Sequence, residues 1–137
     1  MKKKNVFILR AVPGAGKTTL AEELCDSNRS SVICCADDYF TDLEGNYNWD
    51  AEKIGSAHKW CFNLFEENIA DETETIVVAN TNTRERDVNK YRNYALENGY
   101  KVFVMTIENW HFGINTHDVP KETIDKMKEQ LKNSIKL

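Results

Sequence analysis

A short apolar run, Val6-Phe7-Ile8-Leu9, leads into Ala11-Val12-Pro13-Gly14-Ala15-Gly16-Lys17-Thr18-Thr19, and this leads into a segment with Leu20, Ala21, Leu24 and Cys25 on one face. No other feature constrains the chain as tightly. The run has the length of a buried parallel strand, and the spacing beyond it has the period of a helix reaching about Asp26. The glycine-rich segment therefore turns a strand directly into a helix N-terminus. Backbone N–H groups from Gly14 to Thr18 are expected to point inward there, where the positive end of the helix dipole favours an anion. Lys17 adds a charge for the β- and γ-phosphates of a nucleotide, and the Thr18 hydroxyl is placed to ligate Mg²⁺. Nucleotide binding, with ATP as the expected ligand, falls to Pro13, Gly14, Ala15, Gly16, Lys17, Thr18 and Thr19. Ala11 stands where such loops usually begin with glycine, but Pro13 and Gly14 can shape the bend.

The chain has 137 residues, enough for one domain over 1–137 with little room for a second. A net charge of −4 argues against a broad electrostatic grip on nucleic acid, so a nucleic-acid substrate would have to be held locally. No apolar run approaches the roughly 20 residues that cross a bilayer. Lys2-Lys3-Lys4 precedes only four consecutive apolar residues, too few for an export signal. Cys25, Cys34, Cys35 and Cys61 lack Cys-x-x-Cys spacing and read as reduced thiols. The expectation is a cytoplasmic protein without a membrane partner; a protein partner is not readable from the sequence.

Further strands are predicted at Ser31–Ala36, Thr75–Ala79 and Lys101–Ile107, with the unbroken apolar character of a parallel sheet covered on both faces. Asp50 is placed to cap a helix reaching about Ala70, with Ile54, Ala57, Trp60, Cys61, Leu64 and Phe65 on one stripe. Another helix spans about Arg84 to Asn98 and stops at Gly99. A last one starts near Pro120 and aligns Ile124, Met127, Leu131 and Ile135. This β-α-β-α-β-α-β-α alternation predicts an α/β fold, three layers with a parallel sheet of about four strands.

Ligands of such sheets bind beyond the carboxyl ends of the strands. There the sequence places the phosphate loop, Asp37-Asp38-Tyr39-Phe40, Asn80-Thr81-Asn82-Thr83 and Glu108-Asn109-Trp110-His111, all expected around one cleft. A carboxylate beside a triphosphate can accept a proton from an attacking hydroxyl or support Mg²⁺. Asp37 is the stronger candidate, because Asp38 is also well suited to cap the following turn. Tyr39, Phe40, Tyr47 and Trp49 cluster around Gly45-Asn46, and Tyr47 or Trp49 could stack on a base at about 1–3 kcal/mol each. His58 lies on the long helix without the other ligands of a metal site nearby.

The loop Val12 to Thr19, Ala36 to Tyr39 with its Asp-Asp-Tyr, Val77 to Asn82 with its Thr-Asn, and the Asn115 to Met127 entry to the last helix together resemble the polynucleotide kinase branch of P-loop kinases. The resemblance spans nearly the whole chain. It implies a P-loop kinase-like domain with a lid at about 109–119, ATP and Mg²⁺ as cofactors, and a nucleic-acid 5′ hydroxyl as acceptor. By that resemblance Asp37 is the general base and Lys17 and Thr18 hold the triphosphate and metal. Asp38, Tyr39, Asn80, Asn82 and Arg86 are then expected against substrate. Three positions depart from the pattern: Phe40 replaces an arginine, Asn80 a carboxylate, and Gly113-Ile114-Asn115 lacks lid arginines, with Asp118 beyond it. Lid arginines are worth roughly 10³–10⁵ in rate. Arg84 is the candidate to replace them, ahead of Arg86, His111, His117 and Lys121. The departures leave two other readings open: a nucleotide-binding module with decayed catalysis that switches or inhibits a partner, and a small-molecule kinase of the same fold.

Overall fold

Strands β1 (Asn5–Arg10), β2 (Ser31–Cys34), β3 (Thr75–Val78) and β4 (Lys101–Thr106) form one parallel sheet in the order β2-β3-β1-β4. They belong to a computed structural model that describes residues 3–25, 30–108 and 119–134. Register is set by apolar pairs, Val6 beside Ile76 and Ile8 beside Val78 on one side, Val6 beside Val102 on the other. Helices α1 (Lys17–Leu24), α2 (Ile54–Ala70), α3 (Glu85–Glu97) and α4 (Lys121–Asn133) complete the α/β alternation read from the sequence.

Strand alternation divides the side chains between two layers. Val6, Ile8, Cys34, Ile76 and Val78 pack with Cys61 and Phe65 of α2 and with Val88 and Tyr91 of α3. Leu9, Val77 and Ala79 point the other way, against Ala21 of α1. Helices therefore cover both faces, and β3 is buried at every position because it lies inside the sheet. The expectation of equal cover fails at β4, an edge strand whose Phe103 remains 46 % exposed although its ring stacks on Phe7 at 5.2 Å. The helical stripe on α2 needs a similar correction. Ala57, Cys61, Phe65 and Ile69 are buried, whereas Ile54 and Trp60 are exposed. A 3.6-residue period leaves the edges of a stripe ambiguous, and only the neighbouring element decides them.

Local signals set the boundaries. Asp50 accepts a hydrogen bond from the Glu52 backbone at 2.9 Å and caps a 3-10 turn, Ala51–Lys53, which leads into α2. Gly99, with φ of 79°, ends the α3 region in the left-handed conformation that glycine adopts without penalty. The second strand is shorter than expected, because Ala36 begins a 3-10 turn, Ala36–Phe40, instead of extending β2. Asp26 and Ile135 lie outside the described residues. Among the described residues no helix is long and apolar enough to cross a membrane.

Helix α4 contributes no fully buried residue. Its Ile124 and Met127 pack over Ala11, Val12 and Ala15, but a polar lock holds its end. Arg10 is completely buried at the end of β1. Its Nε donates to the Asn82 carbonyl at 2.8 Å, Nη1 to the Ser134 carbonyl at 2.6 Å, and Nη2 to the Thr83 carbonyl at 3.2 Å and to Ser134 Oγ at 2.6 Å. Ser134 is the C-terminal cap of α4, so the guanidinium meets the negative end of that helix. Burial lowers the Arg10 pKa, and the charges of Asp87 and Glu85 oppose that shift. Replacing Arg10 by Met should destabilise the protein by about 3 kcal/mol, because three carbonyls lose a buried donor. Thermal unfolding would show a Tm lower by ~10 °C, and hydrogen exchange should speed up first across α4. A Tm change under 2 °C (~0.5 kcal/mol) would overturn this account.

Candidate active site

The phosphate loop joins β1 to α1 through two glycines in left-handed conformations, Gly14 with φ of 85° and Gly16 with φ of 94°. Any residue with a Cβ would be strained at either position. Gly16 is also the N-cap of α1, so no side chain caps that helix, and its first turn carries Lys17 instead of an acid. The N-terminus of α1 is thus built for an anion supplied from outside. Thr18 and Thr19 are exposed and Lys17 is half-buried. The base of the loop is held by Ala11, whose N–H donates to the Thr81 carbonyl at 3.0 Å. A magnesium nucleotide fits this donor set: Thr18 would ligate the metal, Lys17 the phosphates. Among the described residues no group of three or more His, Cys, Asp or Glu gathers to hold a metal.

Asp37 and Asp38 lie in the 3-10 turn that ends β2. The turn is pinned by Asn80, whose Oδ1 accepts the Ala36 N–H at 2.8 Å. Asp37 is half-buried and its Oδ1 accepts the Tyr47 hydroxyl at 3.4 Å. A small antiparallel bridge between Thr41 and Tyr47 delivers that phenol, closed by Asp42 N–H to the Asn46 carbonyl at 2.9 Å. Burial, followed by the charge of Asp37, pushes the Tyr47 phenol up to about 12, so it stays a donor at physiological pH. Tyr47 therefore positions the proposed base, and its ring meets Phe40 edge-on at 6.3 Å. The sequence offered Tyr47 as a stacking residue beside Gly45-Asn46; that it folds back on Asp37 emerges from the bridge to Thr41. Cys35 links this carboxylate to the phosphate loop. Its thiol is pushed up to about 11, chiefly by burial; the Asp37 N–H opposes the shift, the Asp38 and Asp37 charges add to it, and Lys17 opposes it.

Asp38 and Tyr39 are exposed, and Tyr39 leans on Trp60 with ring centroids 6.0 Å apart. Trp49 is exposed as well, whereas Phe40 is buried, its ring edge-on to Tyr39 at 5.4 Å. Asn80 and Asn82, expected against substrate, lie on the wall of a cavity beside α3 and α4 but expose little of their surface. Both are buried, and their amides serve the chain's own backbone: Asn80 as described, Asn82 by donating Nδ2 to the Leu9 carbonyl at 2.7 Å from a left-handed conformation with φ of 48°. Neutral amides suit this task because they both donate and accept. Arg84 is half-exposed at the N-cap of α3, with Nε 3.2 Å from Asp87 Oδ2 and Nη2 3.2 Å from Asp87 Oδ1. The expected cation is thus held by a carboxylate, and Asp87 also accepts the Arg84 N–H at 3.3 Å as the reciprocal half of a helix cap. Arg86 is exposed on the same first turn. His58 is held below its usual pKa mainly by burial; Asp87 raises it, Lys90 lowers it, and weaker influences come from Asp37 and Arg84. The lid expected at about 109–119, with His111, Ile114, Asn115, His117 and Asp118, lies outside the described residues apart from Val119. Lys121 opens α4 and is exposed.

Residues 6–112 match the family AAA_33, described as an AAA domain. The chain is 31 % identical to NEDD4-binding protein 2 of Homo sapiens over 95 % of its own length, and it spans 8 % of the length of that protein. Among solved structures, a chain of the Pnkp1/Rnl/Hen1 RNA repair complex superposes with a TM-score of 0.72 at 18 % identity, covering 98 % of this chain and 46 % of the other. The APS kinase of Mycobacterium tuberculosis superposes with a TM-score of 0.56 at 10 % identity, covering 96 % of this chain and 99 % of the other. At these identities the two structures support the fold alone.

The two adjacent carboxylates carry a testable cost. Burial and the charge of Asp37 raise the Asp38 pKa above its ordinary value of 3.8. An acid whose pKa is raised by folding weakens the fold once both states are ionised, and costs nothing once both are protonated. Asp38→Asn should therefore raise Tm at pH 7 by about 1–2 °C. The gain should vanish as the pH falls through the carboxylate range below the ordinary value. Melting curves of the nucleotide-free protein from pH 3 to pH 7 check this; a gain that persists at pH 3 would point to a different cause.

Proposed function

The chain belongs to the AAA domain family AAA_33 and has a P-loop kinase-like fold, and on that premise we propose that it moves the γ-phosphate of ATP to a hydroxyl at a nucleic-acid 5′ end. The observation that carries the reading is that one loop after β3 holds both halves of the site: Asn80 accepts the Ala36 N–H at 2.8 Å beneath the turn bearing Asp37 and Asp38, and the Thr81 carbonyl accepts the Ala11 N–H at 3.0 Å beneath the phosphate loop. Lys17 and the N-terminus of α1 would hold the triphosphate. Asp37, held by the Tyr47 hydroxyl, would accept the proton of the attacking hydroxyl. Mg²⁺, ligated by Thr18 and approached by Asp37, would neutralise charge on the transferring group. Arg84 would leave Asp87 for the phosphate, a modest demand because an exposed ion pair is worth only about 0–1 kcal/mol.

A second reading, a nucleotide-binding module that performs no transfer, draws on the engagement of Arg84 with Asp87. The two readings separate cleanly. Lys17→Ala should weaken binding of ATP with Mg²⁺ at least tenfold, which calorimetry reads, since the lysine contributes a charge-assisted contact of about 1.5–3 kcal/mol. Unchanged affinity would sink the phosphate-loop assignment. Asp37→Asn should lower transfer of label from γ-labelled ATP to a 5′-hydroxyl oligonucleotide by about 10²–10⁴, with nucleotide affinity within threefold of the parent (~0.6 kcal/mol). No labelled product from the parent protein with RNA or DNA acceptors would overturn the nucleic-acid reading and leave the binding module and the small-molecule kinase standing.

A further inference from the structure

A cavity of about 620 Å³ opens between the loop that follows β3, the start of α3, the middle of α4 and His58 of α2. Arg84, Arg86, Lys90 and Lys126 line it, against one carboxylate, Asp87. Asp87 is already engaged by Arg84. Among the described residues Arg86, Lys90 and Lys126 have no carboxylate within ion-pair distance, although Glu85, Glu122 and Asp125 occupy the same helices. A chain with a net charge of −4 thus concentrates three uncompensated cations on one concave wall. Two of them, Arg86 and Lys90, are a helical turn apart on α3, and the third faces them from α4.

We infer that this wall, formed by Arg86, Lys90 and Lys126, is a subsite for the phosphodiester backbone of a single-stranded nucleic-acid acceptor. The inference rests on the kinase reading and names what its acceptor must carry. Three observations favour a phosphodiester strand over a neutral sugar, nucleoside or small metabolite. Volume is the first: the cavity lies within the roughly 300–1,000 Å³ of small-ligand sites and is far larger than one phosphate needs. The second is spacing, because cations distributed over two helices match charges repeated along a strand better than one compact anion. The third is continuity with the reaction site. Thr81 lines the cavity and its carbonyl holds the phosphate loop through Ala11, while Asn80, also on its wall, pins the turn bearing Asp37 through the Ala36 N–H. Phe40 is buried, so the segment following Asp37 offers no cation of its own. Lys90 is held in place, its Nζ 4.5 Å from the centre of the Phe62 ring. The strand would enter with its 5′ hydroxyl toward Asp37 and its phosphates along α3 and α4.

The test is binding of a 5′-hydroxyl RNA trinucleotide carrying a 3′ fluorophore, followed by anisotropy without ATP and across a salt series. The double variant Lys90→Glu/Lys126→Glu should bind at least tenfold more weakly and lose about one unit or more of the slope of log K against log salt, since each single-strand contact contributes about 0.7. Lys90→Arg/Lys126→Arg should restore both. Calorimetry with ATP should give the same affinity for all three proteins, and melting curves establish that each is folded. Both lysines are exposed, so the fold should tolerate the change. Equal trinucleotide binding by the parent and the double-Glu variant overturns the inference, as does absence of binding by the parent. If the trinucleotide binds as expected and is never phosphorylated, the kinase reading fails and the subsite stands. If it is phosphorylated with an unchanged KM by the double-Glu variant, the subsite fails and the kinase reading stands.

Discussion

The buried guanidinium of Arg10 organises the carboxyl end of the sheet. It stands at the last position of β1, immediately before the phosphate loop, and its donors reach the Asn82 and Thr83 carbonyls and the cap of α4. A charge with no solvent contact is costly unless several dipoles face it, and here backbone carbonyls and a helix C-terminus do so. Arginine suits this position because its planar fork presents donors in several fixed directions at once, which an ammonium does not. Without the clamp, α4 would be held by the half-buried Ile124 and Met127 and by Thr83, whose hydroxyl donates to Gln130 Oε1 at 2.8 Å and whose carbonyl accepts the Ser134 hydroxyl at 2.7 Å. The floor of the phosphate loop and the wall of the basic cavity would loosen together.

The segment Asn80-Thr81-Asn82 serves as a second frame. Asn80 fixes the turn bearing Asp37, Thr81 accepts from Ala11 beneath the phosphate loop, and Asn82 bonds the Leu9 carbonyl. The phosphate loop and the turn bearing Asp37 are thereby referenced to the same three residues of the loop after β3. This assigns a physical role to Asn80, where the resemblance led one to expect a carboxylate. An ionised aspartate at position 80 could accept the Ala36 N–H but could not also donate toward Cys61, as Nδ2 does at 3.6 Å. The amide matches a buried environment in which both kinds of partner are present.

Charge is distributed with similar economy. Cations are concentrated at Lys17 and along α3 and α4, while Asp37 and Asp38 sit close enough for one to disturb the other. Such repulsion is tolerated where a ligand or metal later relieves it. The aromatic side chains around this turn divide in the same way. Phe40 and Tyr47 build the support for Asp37, and Tyr39, Trp49 and Trp60 remain at the surface.

Much of this was legible before any coordinates. The strand-loop-helix order gave the phosphate loop, because only glycine adopts the backbone at Gly14 and Gly16 without strain, and apolar runs and helical spacing gave the four strands and four helices. Those signals are local: they depend on residues within one turn of each other. Asn80 and Asn82 read as substrate ligands, Tyr47 or Trp49 as a stacking ring and Trp60 as part of a buried stripe, and nothing local marked Arg10. The backbone duties of Arg10 and Asn80 depend on partners far away in sequence, with Ser134 lying 124 residues beyond Arg10 and Ala36 lying 44 before Asn80. The gathering of Arg86, Lys90 and Lys126 around one cavity was hidden for the same reason. The sequence by itself determined which backbone could hold a phosphate, since that depends on local torsions and on a helix terminus. Only the tertiary structure decided which polar side chains remain for a ligand, since that depends on which buried carbonyls and N–H groups first require them.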